Sequence, residues 1–450
     1  MGTTVELAKF IAGLNASEVP PAVLHQAKRC LMDWLGVALS GSTDPSTDVF
    51  IAVADDLSSG SEEASVLGRG RGASLLIAAL INGYTSHVLD YDDTFNPQRT
   101  TVHGSAPVWP VVMGLSERRT VAGRQALAAF VAGFETEVRV ALAAGPAHYE
   151  AGWHVTGTVG HFGAAAAAAH VLQLGPDAVT SALSAAGTQA AGLKGVYGSM
   201  GKALHPGKAA MDGLLSALLA DKGFAGSDSI LEARHGFLDV LSPEPSPELV
   251  TRDLGKQWTL LDNGFKPYAC GSLTHPTIEG IIDLRREHQL EPADIESIEA
   301  RVNDYVSWVT AKEEPTTGLQ GKFSIYHCAA VAALDGSASI RQFEDDRVND
   351  SAVIEMRRRV GIVVDDSLPK DAAVVTITLT DGRSLTREVL HNKGTPAKPM
   401  TDAEIEEKFL DLAAPIVGTS VAEEVAARCW HVEELDDVGL IARMCRGKSR

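Results

Sequence analysis

The sequence predicts a mainly α protein. A large all-helical domain is expected from both ends of the chain, at 1–265 and 396–450, with a smaller α+β domain at 266–395. Three observations carry this. Apolar residues recur at a 3–4 spacing through roughly the first 235 residues. Alternating, hairpin-like texture appears only later. A helix start then returns the chain to helical sequence near residue 401. At 450 residues the chain is also long for one core, which favours two domains.

The elements follow in order. "PPAVLHQAKRCLMDWLGVAL" places Val23, Ala27, Cys30, Leu31 and Leu35 on one helical face, and Pro20-Pro21 suits the start. "GRQALAAFVAGFETEVRVALAAG" repeats the pattern and is expected to end on Gly145. "GHFGAAAAAAHVLQLG" holds six consecutive alanines, a strong helix former whose small side chain permits close packing. "HPGKAAMDGLLSALLADKGFAG" is expected to be helical from Pro206 to near Gly223. So many apolar, Ala- and Gly-rich helices predict helices packed on helices, some buried on every side. "LSPEPSPELV" is a proline-rich loop. "DIESIEARVNDYV" alternates like a strand around Ile298, Ala300 and Val302, and "AAVVTITLTDGRSLTREVL" reads as a hairpin turning at Asp381-Gly382. Thr401 and Glu404 are spaced as a capping box, and these last helices are expected to rejoin the first domain.

Composition excludes several classes. Apolar content is 45% and charged content 22%, ordinary for a globular enzyme. A net charge of −19 argues against nucleic acid or an anionic membrane as partner, so an anionic ligand would need a local basic pocket. No apolar run approaches the roughly 20 residues a membrane helix needs. "MGTTVELAKFIAGL" lacks a secretory pattern, and Glu6 stands where a myristoylation motif takes Ser or Thr. The five cysteines include no C-x-x-C and are odd in number. This reads as a reducing, cytoplasmic protein with free thiols, and argues against zinc-finger or three-cysteine iron–sulfur sites.

Six stretches carry chemistry. "HVLDYDDT" sets a histidine and three carboxylates between apolar runs, which is costly unless they pair or react. On a helix, His87, Asp90 and Asp93 or Thr94 share a face, and Asp92 points elsewhere. The stretch suits acid/base work, Mg²⁺ binding or a buried polar network. "TTVHGSAPVWP" offers His103 beside Gly-Ser. "HYEAGWHVTGTVGHFG" spaces His148, His154 and His161 by seven, but glycines break any single metal-binding face; His154 is the best placed for a site. "GLKGVYGSMGKALHPGKAAMDG" fails as a phosphate loop, since Val196 and Ala203 replace required residues. It leaves Lys202, His205 and Lys208 near a helix start, as an anion site or as a surface loop with solvated lysines. "FKPYACGSLTHPTIEG" puts Lys266, Cys270 and His275 at the expected domain boundary, where ligands commonly bind. "GKFSIYH" adds Lys322 and Tyr326, the latter a donor to a carboxylate or a half-buried core residue. Together these predict a basic pocket for a small polyanion with acid/base residues inside.

The stretches "NGYTSHVLDYDDT", "HGS", "GWHVTGTVGHFGAAAAAA", "KALHPGKAAMDGLLSALLA", "KPYACGSLTHPTIE" and "KFSIYH" occur in this order. By them the chain, over about 1–410, resembles the MmgE/PrpD family of 2-methylcitrate dehydratases, cis-aconitate decarboxylases and iminodisuccinate epimerases. The resemblance implies that the α+β domain is a lid, that the protein is a homodimer, and that no metal or organic cofactor is used. It implies a small anionic polycarboxylate substrate and a lyase, dehydratase-like or decarboxylase-like, with epimerisation of a dicarboxylate as the alternative. It assigns catalysis to Asp90, His103, His154, Lys202 and Lys266. Substrate binding falls to Thr94 and Tyr326, with Lys208 and His275 further out. Animal-type decarboxylases carry a further histidine close to where Cys270 stands here.

Overall fold

The computed structural model describes residues 2–58, 60–96 and 100–448. The protein is mainly α with small sheets. The chain divides into two compact units. Met1–Val88, Asp92–Gly264 and Thr401–Arg450 form the first; Leu89–Tyr91 and Phe265–Met400 form the second. Among the described residues no helix is long and apolar enough to cross a membrane.

The first unit is helix packed on helix. The helix Val155–Val171 contains the alanine run and is buried at every position except His170. Alanine there is what lets the helix Gly201–Asp221 lie close: a Cβ on Gly213 would come 2.5 Å from the Ala164 Cβ. The helix Leu75–Val88 approaches Gly201–Asp221 glycine to glycine, since a Cβ on Gly83 would lie 2.7 Å from the Gly207 Cα. Gly83→Ala would therefore overpack this crossing, at about 1–3 kcal/mol. Helix Asp402–Val417 begins at the capping box, with the Thr401 side chain accepting from Glu404 N–H. A buried ion pair, Lys408 Nζ to Asp33 Oδ1 at 2.7 Å, ties it to helix Pro21–Gly41.

Three local expectations change. Helix Gly123–Glu150 does not stop at Gly145: that residue takes φ 69°, kinks the backbone, and Pro146 restarts the turn. The helix expected from Pro206 begins at Gly201, so Pro206 sits inside it and removes one hydrogen bond from its second turn. The unit is also not purely helical. Two short ladders, Ala64–Val66 with Arg71–Ala73 and Thr94–Phe95 with Asn263–Gly264, pin its connections.

The second unit holds a four-stranded sheet in the order Val360–Val364, Ile295–Val302, Ala373–Leu379, Ser384–Val389. The first pair is parallel and the others antiparallel. Alternation sets the faces: Ile298, Ala300 and Val302 are buried, and Gly382 takes φ 87° in the hairpin turn. Helix His275–His288 packs on this sheet, where a Cβ on Gly280 would lie 2.9 Å from Val375 Cγ2.

Candidate active site

The polar centre of the first unit is assembled from helix ends. His87 lies in the last turn of Leu75–Val88. His103 precedes helix Ser105–Arg118, and His154 is the N-cap residue of Val155–Val171. Lys202 lies in the first turn of Gly201–Asp221, with His205 one turn on. The Gly83–Gly207 contact brings two of these helices close enough for their ends to share one cluster.

Asp92 is its hub. Its Oδ2 accepts from His87 Nδ1 at 2.8 Å and lies 3.1 Å from His103 Nδ1. The His103 Nδ1 also reaches Thr94 Oγ1 at 3.3 Å and the Asp93 carbonyl at 3.2 Å, while its backbone N–H donates to Thr156 Oγ1 at 3.0 Å. The His87 ring meets His103 edge-on at 4.5 Å and stacks toward His154 at 6.0 Å. His154 Nδ1 lies 2.8 Å from His205 Nδ1.

Burial and charge set the protonation. Burial raises the Asp92 pKa, but His87 and His103 outweigh it and hold the carboxyl well below its usual range. Burial presses His87 down to about 3, with Asp92 resisting and Lys202 reinforcing. His154 is lowered well below normal by burial and then by Lys202. A carboxylate only accepts, so the neutral His87 carries its proton on Nδ1. Its Nε2, buried and with no hydrogen-bond partner among the described residues, is then a bare base. Beneath the histidines, burial and repulsion from Asp33 and Asp92 raise Asp93 to about 7, while Ser105 Oγ (2.8 Å) and Asn263 Nδ2 (2.6 Å) donate to it. Glu137 is buried with no hydrogen-bond partner among the described residues, and burial, with Asp93 nearby, raises its pKa well above normal.

The sequence-derived residues divide between the units. Thr94, His103, His154 and Lys202 gather in the first unit's cluster. Lys208 does not: it is exposed and paired with Asp212, whose Oδ2 lies 3.2 Å from His161 Nε2. The three histidines spaced by seven also part company. His148 turns to the Leu241 carbonyl at 2.6 Å and Thr158 Oγ1 at 2.8 Å, and His161 to the Gly157 carbonyl at 2.8 Å.

In the second unit Asp90 pairs with Lys266, whose Nζ lies 3.0 Å from Oδ1 and donates to the Asp90 carbonyl at 2.9 Å. Lys322 donates to the Leu89 carbonyl. His275 Nε2 reaches the Cys270 carbonyl at 3.2 Å, and Cys270 is buried with its Sγ 3.3 Å from Thr274 Oγ1. Tyr326 is half-buried against the cluster of Ala300, Val302, Val306 and Ile325, and burial with Glu313 nearby raises its hydroxyl pKa.

The helical reading of "HVLDYDDT" is corrected here. The helix ends at Val88 and Asp90 takes a left-handed φ of 52°, so 3–4 spacing no longer decides which side chains share a face. Asp92, turned away by that reading, is turned in. Three carboxylates in four residues were the available signal for it. Asn263 and Glu137 left no recognisable motif, and Ser105 stood in "HGS" without being singled out.

Comparison with known proteins extends over the whole chain. A cis-aconitate decarboxylase-like protein of Aspergillus oryzae is 28% identical over 99% of this chain and 97% of its own length. The cis-aconitate decarboxylase of Aspergillus terreus is 27% identical over 97% of this chain and 94% of its own, and that of Mus musculus is 29% identical over 99% and 94%. Residues 5–250 match the MmgE/PrpD N-terminal domain and residues 268–432 the MmgE/PrpD C-terminal domain. On these matches, the chain belongs to the MmgE/PrpD family.

Proposed function

We propose that this chain is a lyase that needs no cofactor and acts on a small polycarboxylate, in the first instance by decarboxylating a cis-aconitate-like tricarboxylate. The observation that carries the reading is the buried cluster in which Asp92 orients His87 and His103 beside Lys202, in a chain aligned end to end with decarboxylases. Breaking a bond next to a carboxylate leaves an enolate-like anion. Lys202 is a fixed cation to stabilise it, and a neutral histidine is suited to move the proton at the α-carbon. Thr94 and His103 contribute hydrogen bonds to the substrate from the same cluster. Asp90, Lys266, Tyr326 and His275 are carried in this reading by the family resemblance, as are the lid role of the α+β unit, a homodimer and a cytoplasmic location. Dehydration of a 2-methylcitrate-like acid is the neighbouring activity, since it needs the same acid, base and cationic groups.

The test is proton NMR in D₂O with cis-aconitate, 2-methylcitrate and iminodisuccinate offered separately. Loss of a carboxylate from cis-aconitate with a new alkene supports the decarboxylase. A new alkene from 2-methylcitrate moves the assignment to the dehydratase. Deuterium at the α-carbon with inversion and no broken bond overturns the lyase in favour of an epimerase. No change with any acid overturns the substrate class. Unchanged turnover in a chelator is expected; its loss would overturn the cofactor-free reading.

A further inference from the structure

A decarboxylation consumes one proton per turnover. The carboxylate leaves as CO₂, its bonding electrons stay on carbon, and that carbon must take a proton from an acid. His154 is only 3% exposed, and a neutral imidazole that gives up its proton there is left an anion unless it takes a second proton in the same step. The structure offers one. His154 Nδ1 faces His205 Nδ1 at 2.8 Å, and His205 is half-buried, open to solvent on part of its surface.

The contact is built rather than incidental. Two glycines flank the His205 ring. A Cβ on Gly157 would lie 3.0 Å from the His205 Cβ, and one on Gly192 would lie 3.3 Å from its Cγ and Nδ1. Gly192 has φ 139°, a conformation other residues rarely adopt, and its carbonyl accepts the His154 backbone N–H at 3.0 Å. One loop residue therefore fixes both rings. The charged and titratable neighbours acting on the pair are Lys202, His87, His103 and His161. Burial, then Lys202 and His161, lowers His205 to about 4, so both rings are neutral near pH 7.

Two neutral imidazoles joined Nδ1 to Nδ1 hold one proton between them, so their tautomers are opposite. We propose that His205 is the positioning residue that sets the tautomer of His154 and hands it a second proton as it gives up its own. With the shared proton on His205, His154 bears its own on Nε2 and can give it to the substrate carbon. As it does so, it takes the His205 Nδ1 proton across the 2.8 Å contact, and His205 takes one from water on Nε2. Both rings end neutral with their tautomers exchanged, and the net transfer is one proton from water to substrate. After product leaves, water admitted to the site returns a proton to His154 Nε2 as the shared proton passes back to His205 and the His205 Nε2 proton returns to water, so the pair delivers a proton in the chemical step without leaving His154 an anionic imidazolate.

This inference rests on the decarboxylase reading, so the test has one arm that needs no substrate. Protein labelled with ¹⁵N-histidine is examined by long-range ¹H–¹⁵N NMR, with His205→Asn used to assign the pair. One Nδ1 protonated and the other bare is the expected result; both rings protonated only on Nε2 would overturn the proposal, whatever the substrate. The second arm is kinetic. Asn places an amide near the Nδ1 position but relays no proton. His205→Asn is expected to keep KM within a few-fold and lose kcat on the order of 10²-fold. Added imidazole is expected to restore part of kcat to His205→Ala. Wild-type kcat in His205→Asn, or no imidazole rescue of a folded His205→Ala, would reduce His205 to a packing residue. Absence of wild-type turnover on all three acids would sink the functional reading, and the NMR arm would still judge the pair.

Discussion

The Asp92 cluster of the first unit sets buried histidines around a carboxylate; the Asp90 segment of the second sets a lysine and a carboxylate at 3.0 Å, held with the backbone around them. Asp90 and Asp92 stand two residues apart, and the side chains they pair with differ: Lys266 for Asp90, His87 and His103 for Asp92. Around Asp92 burial keeps His87 neutral, so hydrogen bonds decide where protons sit, and a small rearrangement moves them. Around Asp90 the two charges compensate each other. Lys266 also bonds the carbonyl of a residue in a left-handed conformation, which an aspartate tolerates at modest cost. One environment suits moving a proton and the other suits fixing geometry. Substitutions should therefore separate into losses of rate and losses of stability.

The largest effect is expected at Asp92. Asp92→Asn removes the charge that fixes the His87 proton on Nδ1 and leaves an amide that can present a donor to it. Turnover in the NMR assay should fall about 10²–10⁴-fold, with far-UV circular dichroism unchanged. Full turnover in a folded Asp92→Asn would break the distinction between the two carboxylates.

Lys266→Met should lower stability, because it removes the cation paired with the buried Asp90 carboxylate. The expected loss is about 3–5 kcal/mol, read as a shift in the denaturant midpoint. Adding Asp90→Asn should return part of it, since the buried charge is then gone. If the double variant is no more stable than Lys266→Met alone, the pair is not what holds this segment.

The contrast also explains what was legible in the sequence. Helices were legible where local pattern decides them: the alanine run, the Thr401–Glu404 capping box and the alternation about Ala300 all appear as elements of the expected type. The break after Val88 was not. No Gly or Pro lies between His87 and Thr94, and the turn at Asp90 is held by Lys266, far away in sequence. Hence Thr94, His103, His154 and Lys202 could be grouped from their stretches, while the facing of Asp92 could not be read from periodicity. Lys202 and Lys208 show the same limit at closer range. Both lie on one helix start, and only the fold reveals that Asp212 takes the second.

Acidity should expose the proton-rich centre directly. His87 is lowered to about 3, so its contribution to stability is present above about pH 6.5 and lost as pH falls toward 3. Asp93 is raised to about 7, so its contribution is full below about pH 4 and lost as pH rises through 7. The two slopes oppose each other over roughly pH 4–6.5. Asp93→Asn keeps an acceptor for Ser105 but removes the second slope. Its stability relative to wild type should climb between pH 4 and 8, on the order of a few kcal/mol by thermal or denaturant unfolding. A flat difference would mean Asp93 does not titrate in this window.

The smallest effect is expected at Lys208, and it sharpens the comparison within a single helix. Its side chain is 48% exposed and its partner Asp212 is buried, but Asp212 keeps His161 at 3.2 Å when the lysine is removed. An exposed pair of this kind contributes about 0–1 kcal/mol. Lys208→Ala should therefore lower stability by no more than that and leave KM within about twofold, since the ammonium is turned to a neighbour on its own helix. Lys202→Ala, six residues earlier, removes the cation that acts on His87, His154 and His205, and should depress kcat by far more. A tenfold rise of KM in Lys208→Ala would instead put that ammonium on the substrate. The resemblance to the family would then have been a better guide to the anion-binding groups than the geometry of the cluster.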